Sequence, residues 1–145
     1  MKYFLGTDHA GINVRDFIVE YFAKKGLELV DLSPKSAERV DYPDYAKKVC
    51  QEVLKTPNSR GILVCGSGIG MSISANRFKG IRAGLCTDSY MAKMTRAHND
   101  ANVLCMGERV SGLGEIEAIL EAFIHTEFEG GRHQERIQKI EECQC

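Results

Sequence analysis

The sequence predicts an α/β fold: a doubly wound, five-stranded parallel sheet in three layers, with an extra helix at its C-terminal end. Three observations lead there. Short apolar runs alternate regularly with amphipathic stretches, which is the pattern of βαβ units. The runs are nearly continuous in apolar residues, as strands covered on both faces require. The chain of 145 residues is long enough for one core and contains no internal linker, repeat or low-complexity segment, so residues 1–145 are read as a single domain.

The elements follow in order. Residues 2–7 give the first strand, and Val14, Phe17, Ile18, Tyr21 and Phe22 then repeat at i, i+3, i+4, i+7 and i+8, one face of a helix that Gly26 ends. Residues 27–32 form the second strand. Asp41 and Pro43 open a second helix, in which Tyr42, Tyr45, Ala46, Val49 and Cys50 keep the same spacing. The third strand is expected at 60–65, the fourth at 81–86 and the fifth at 102–106, with helices at 70–78 and 88–98 between them. Ile116, Ile119, Leu120, Phe123 and Ile124 mark a helix over 113–126, and a polar helix from about 132 to 142 follows the break at Glu129-Gly130-Gly131. The expected strand order is the flavodoxin-like 2-1-3-4-5. Ligands of such sheets bind outside the carboxyl ends of strands 1 and 3, where the winding reverses.

Composition removes several classes of function. With 19 Lys+Arg against 20 Asp+Glu the net charge is -1, which gives no long-range pull toward nucleic acid or anionic lipid. The apolar runs fall far short of the roughly 20 residues of a membrane span, and the first strand runs into Gly6-Thr7-Asp8 too soon for a signal peptide. A cytoplasmic location is expected, with neither membrane nor nucleic acid as partner. The six cysteines, Cys50, Cys65, Cys86, Cys105, Cys143 and Cys145, form no Cys-x-x-Cys pair and have no ligand-spaced His. Cys65, Cys86 and Cys105 close apolar runs, where a free Cys commonly packs as a small hydrophobe. Cys143 and Cys145 sit on a polar tail, more as a chance pair than as a site.

Two segments occupy the expected switch point: Gly6-Thr7-Asp8-His9-Ala10-Gly11 after strand 1 and Cys65-Gly66-Ser67-Gly68-Ile69-Gly70 after strand 3. The second places a thiol at a strand end, then a glycine turn, then a helix start. Such a turn brings backbone N–H groups to an anion, and the field of the helix start favours a thiolate; a tight turn alone also requires glycine. A phosphotyrosine-type phosphatase would need Arg where Met71 stands. Met71 also breaks the dinucleotide fingerprint, although Asp88 keeps a nucleotide-binding module open, and a phosphate-binding P-loop lacks its Lys. Asp8-His9 offers a carboxylate and an imidazole at the facing lip, or else a helix cap. His98-Asn99-Asp100 is a cap or a general acid–base group. Arg132 and Arg136, four residues apart, can fork around a phosphate or form a solvated basic face, and Arg109 is placed to join them.

Taken together, these segments resemble the type B ribose-5-phosphate isomerase and galactose-6-phosphate isomerase family. The resemblance rests on Gly6 to Gly11, Ser36 to Tyr45, Gly61 to Gly70, Ile73 to Gly84, Arg96 to Asp100, Asn102-Val103-Leu104 and Phe128 to His133, in order and without gaps. It implies interconversion of aldose and ketose phosphates through a cis-enediolate, ribose 5-phosphate and ribulose 5-phosphate first, galactose or allose 6-phosphate as alternatives, with no metal or cofactor. Family members use either a Cys at position 65 or a Glu at position 71 as the base, and this chain has Cys65 and Met71. The resemblance further implies that His98 opens the sugar ring, that the backbone of Gly66, Ser67, Gly68, Ile69 and Gly70 receives the enediolate charge, that Asp8 and Asn99 hold hydroxyls and that Tyr42 lines the pocket. His9, Arg109, Arg132 and Arg136 would bind phosphate. Both chains of a homodimer would contribute to each site, with a tetramer as a further possible assembly.

Overall fold

A computed structural model describes residues 1–143. The chain alternates strand and helix as β1 (Lys2–Thr7), a 3-10 turn (His9–Gly11), α1 (Ile12–Lys25), β2 (Glu28–Asp31), α2 (Tyr42–Lys55), β3 (Ser59–Cys65), α3 (Ile69–Ala75), β4 (Ala83–Leu85), α4 (Ser89–Ala97), β5 (Val103–Gly107), α5 (Leu113–His125) and α6 (Arg132–Glu141). All strand pairs are parallel, with registers such as Thr7 opposite Val64 and Cys65 opposite Gly107. Among the described residues no helix is long and apolar enough to cross a membrane.

Local chemistry sets the boundaries. Gly26 ends α1 at φ 66°, a left-handed conformation that costs glycine little, and its N–H closes on the Ala23 and Phe22 carbonyls. Pro43 stands in the first turn of α2, where its missing N–H has no helical partner to lose. Two apolar clusters lie on the two faces of the sheet. One gathers Phe22, Ile18, Leu104, Ile119 and Phe123, under α1, α4 and α5. The other gathers Val49, Cys50, Leu63, Met71 and Cys105, under α2 and α3. Three layers result, as expected.

The strand order is β2-β1-β3-β5-β4, so the last two strands are exchanged relative to the expected 2-1-3-4-5. The physical reason lies in the strands themselves. β5 is buried along its whole length, whereas every residue of β4 is only half-buried. The run at 81–86 contains Arg82 and Gly84, which suit an edge better than a central strand. The outer side of β4 is held by one side chain: Asn76 Nδ2 donates to the Ala83 carbonyl at 3.0 Å, and the Ala83 N–H donates to Asn76 Oδ1 at 2.8 Å. Exchanging the outer strands leaves the central pair β1 and β3 in place, and with it the switch point.

Candidate functional site

Cys65 closes β3, and the chain then turns back under control of backbone hydrogen bonds. The Glu108 N–H donates to the Cys65 carbonyl and the Arg109 N–H to the Gly66 carbonyl, each at 3.0 Å, so the end of β5 is laced to the glycine turn. Gly68 adopts φ 80°, and a Cβ there would stand 2.8 Å from the Met106 backbone, so both conformation and space demand glycine. Its N–H donates to Cys65 Sγ at 3.2 Å. The thiol is 5% exposed, and it opens on a cleft of about 640 Å³.

That cleft gathers Asp8, His9, Tyr42, Cys65, Gly66, Ser67, Ile69, Gly70 and Arg109, nine of the residues expected to form a site; Gly68 lies beneath the turn. Asp8 is buried, and its Oδ1 accepts from the Ala10 N–H at 2.9 Å, so it caps the 3-10 turn as well as facing the cleft. His9 Nδ1 accepts from the Val40 N–H at 3.2 Å, which in the neutral ring leaves the proton on Nε2. The Tyr42 ring packs against Gly70, whose added Cβ would meet it at 2.5 Å, and the Arg109 guanidinium comes within 3.3 Å of the corresponding point on Gly66. Met71 is fully buried in the core below. Arg39, Ile73 and Val110 also line the cleft and were missed from the sequence. The signal for Arg39 was its place just ahead of Asp41 and Pro43, in the loop that carries Val40 to His9.

His98, Asn99, Arg132 and Arg136 are elsewhere in the chain. His98 is the C-cap of α4, and Asn99 precedes β5, at the sheet edge where strands begin. The Asn102 carbonyl bonds the N–H of Gly61, four residues before Cys65, so this edge lies about 13 Å from the thiol along β3. Two guanidinium groups shape the loop. Arg82 Nε donates to the Asn99 carbonyl at 2.9 Å, and buried Arg96 reaches Asp100 at 2.8 Å and the Ala101 carbonyl at 2.7 Å. His98 stacks on His133, centroids 4.2 Å apart and planes 13° apart, and Nε2 of each faces Glu129, at 3.7 and 4.0 Å. Burial first, then the charges of His98 and Arg132, hold the His133 imidazole below its ordinary range. Arg132 and Arg136 project from the first turns of α6 into solvent.

The ligand atoms of His98, Glu129 and His133 lie within 4.8 Å of one another, close enough in distance for a metal ion. The stacked rings, however, send their lone pairs side by side in nearly parallel planes, whereas ligands of one ion converge.

Known proteins resemble this chain over nearly its whole length. The profile of the Ribose/Galactose Isomerase family matches residues 3–140. Ribose-5-phosphate isomerase B of Escherichia coli is 44% identical over 139 residues, covering 96% of this chain and 93% of that protein. The structure of the Clostridium thermocellum ribose-5-phosphate isomerase B superposes with a TM-score of 0.96 at 47% identity, covering 98% of this chain and 96% of the other. That of Thermotoga maritima superposes at 0.95 and 46% identity, covering 98% of both chains.

Proposed function

The chain belongs to the ribose/galactose isomerase family, and on that premise we propose that it interconverts ribose 5-phosphate and ribulose 5-phosphate, in a site completed by a second copy of the chain. The observation that carries this reading is the division of the site. The base, the glycine turn, Asp8, His9 and Arg109 share one cleft, while His98, Asn99, Arg132 and Arg136 stand at the opposite edge of the same sheet. A parallel sheet cannot bring its two edges together, so one chain offers two incomplete halves that a homodimer can join. The same proposal covers a tetramer as a pair of dimers.

In this reading Cys65, as thiolate, takes the proton from C2 of the open-chain aldose and returns it to C1, passing through a cis-enediolate in which the hydroxyl proton of O2 moves to the neighbouring O1. Charge develops on the substrate oxygens, and in this reading main-chain N–H groups of the Gly66 to Gly70 turn receive it, where the first N–H groups of α3 have no helical acceptor of their own. The Gly68 N–H aimed at Sγ is a donor that a thiolate accepts more strongly than a thiol. Asp8 and Asn99 hold hydroxyls, and Tyr42 walls the pocket. His98 of the partner subunit exchanges a proton with the ring oxygen during opening. The phosphate lies between His9 and Arg109 on one side and Arg132 and Arg136 of the partner subunit on the other, and this remote binding orients the reacting carbons.

The test is direct turnover of ribose 5-phosphate by the purified protein, followed spectroscopically. Cys65→Ala should lose turnover about a hundredfold or more while still binding the sugar phosphate; full retention would sink the base assignment. His98→Asn should impair the cyclic substrate more than an open-chain analogue. Faster turnover of six-carbon than of five-carbon phosphates at equal concentration would move the substrate to a hexose 6-phosphate. Thermal stabilisation by NAD but not by pentose phosphates would point instead to a nucleotide-binding module.

A further inference from the structure

We infer that Glu108 is a positioning residue for the phosphate half of the cleft, locking the loop that carries Asp8 and His9 to the loop that carries Arg109; this rests on the isomerase reading above. The reason begins with α1. Its N-cap, Gly11, has no side chain to satisfy the orphan amides of the first turn. The acceptor comes from 94 residues away: Glu108 Oε1 accepts from the Val14 N–H at 2.8 Å, and Oε2 from Asn13 Nδ2 at 3.5 Å. The carboxylate thus caps α1 across β3, which lies between β1 and β5 in the sheet.

The backbone of the same residue is fixed on the base. Its N–H donates to the Cys65 carbonyl, and the next N–H, of Arg109, to the Gly66 carbonyl. One residue therefore ties together three of the segments around the cleft: its side chain holds the first turn of α1, directly after the Asp8–Gly11 segment, and its main chain holds the β3–α3 turn, while its chain neighbour Arg109 extends over Gly66. The negative charge is satisfied at the positive end of α1 rather than facing the phosphate that Arg109 is meant to attract. Without this side chain, the start of α1, on which the Asp8-His9 segment leans, loses its side-chain hydrogen bonds to the Arg109 loop among those described. The distance from His9 to Arg109 would then vary, and both would bind phosphate less well.

The experiment compares wild type with Glu108→Gln, Glu108→Asp and Glu108→Ala, by steady-state turnover of ribose 5-phosphate and by calorimetric affinity for inorganic phosphate. Glu108→Gln keeps an oxygen for the Val14 N–H and should stay within twofold of wild type, about the resolution of such assays. Glu108→Asp keeps the charge but is one methylene too short, so it and Glu108→Ala should raise KM and the phosphate Kd about fivefold. Their kcat should change much less, a split that a merely structural loss of folded protein would not produce. The inference is overturned if Glu108→Asp retains wild-type KM and phosphate affinity, or if Glu108→Gln is as impaired as Glu108→Asp. If wild type turns over no sugar phosphate, the isomerase reading fails, and the phosphate affinities alone still decide whether Glu108 positions the anion site.

Discussion

Four cysteine sulfurs sit at or near strand ends and helix faces in the core, but their surroundings divide them. Burial pushes the Cys50 and Cys86 thiols up to about 12, and Cys105 well above its ordinary value, so these three are neutral packing groups. Cys65 alone of the four lines the cleft. Cys86 and Cys105 were legible as packing groups because they close apolar runs, and Cys50 because it keeps the apolar spacing of the second helix; Cys143 is exposed, and Cys145 lies outside the described residues. His133 was not singled out, because nothing in its spacing announces that it will stack on a residue 35 positions earlier in the chain. Its lowered protonation gives a pH prediction. A buried imidazole held below its unfolded value of about 6.5 contributes stability that is present above that value and is lost as pH falls through the folded one. The stacked His98, the neighbouring Arg132 and Arg136 and the opposing carboxylate of Glu129 all bear on it, the last in the opposite sense. The midpoint of thermal unfolding should therefore drop between pH 7 and pH 5, and His133→Gln should flatten that slope. An unchanged slope in the variant would show that other groups carry the acid sensitivity.

At the scale of elements, the site depends on how closely the glycine turn is pressed on the end of β5. A Cβ on Gly107 would stand 2.5 Å from the Ser67 backbone, and backbone cannot swing aside as a long side chain can. Gly107→Ala should cost about 1–3 kcal/mol of stability, measured by urea unfolding, and should lower turnover as the turn moves off Cys65. Gly70→Ala meets the movable Tyr42 ring first and serves as the contrasting case: a stability loss equal to that of Gly107→Ala would show that packing on the turn is not what distinguishes them. Helix boundaries were legible to within a few residues because caps and breakers mark them: Gly26, Pro43 and the glycines at 130 and 131 all stand where the chain changes course. The exchange of β4 and β5 was less legible. Amphipathic spacing says that a helix packs on a sheet, but not on which side of its preceding strand the next strand will lie; only the polar and small residues at Arg82 and Gly84 hinted at the edge.

At the scale of the whole molecule, the split site predicts complementation. When Cys65→Ala and His98→Asn chains, each impaired alone on the cyclic substrate, are mixed and allowed to exchange subunits, half of the dimers should become hybrids in which one of the two sites is intact. About a quarter of wild-type activity should therefore return. No recovery after demonstrated exchange would mean that each chain holds a complete site. The proposed assembly was suggested by the family resemblance alone. Nothing in the periodicity of α4 or α6 tells that His98 and the two arginines would end at the strand-start edge, because which edge a residue occupies follows from parallel topology and not from its neighbours in sequence.

The amide of Asn76 has a consequence for the crowded cell. An unpaired outer strand is a template on which another chain can lengthen the sheet, and such growth is how soluble folds pass into aggregates. By giving Ala83 both the donor and the acceptor that an incoming strand would offer, Asn76 already fills that place, and β4 is only three residues long. The short sixth helix adds to this guard, since Glu141 pairs with Arg82, the residue just before β4. Of the two outer margins of the sheet, the one at β4 is thus closed to uninvited neighbours, chiefly by one amide.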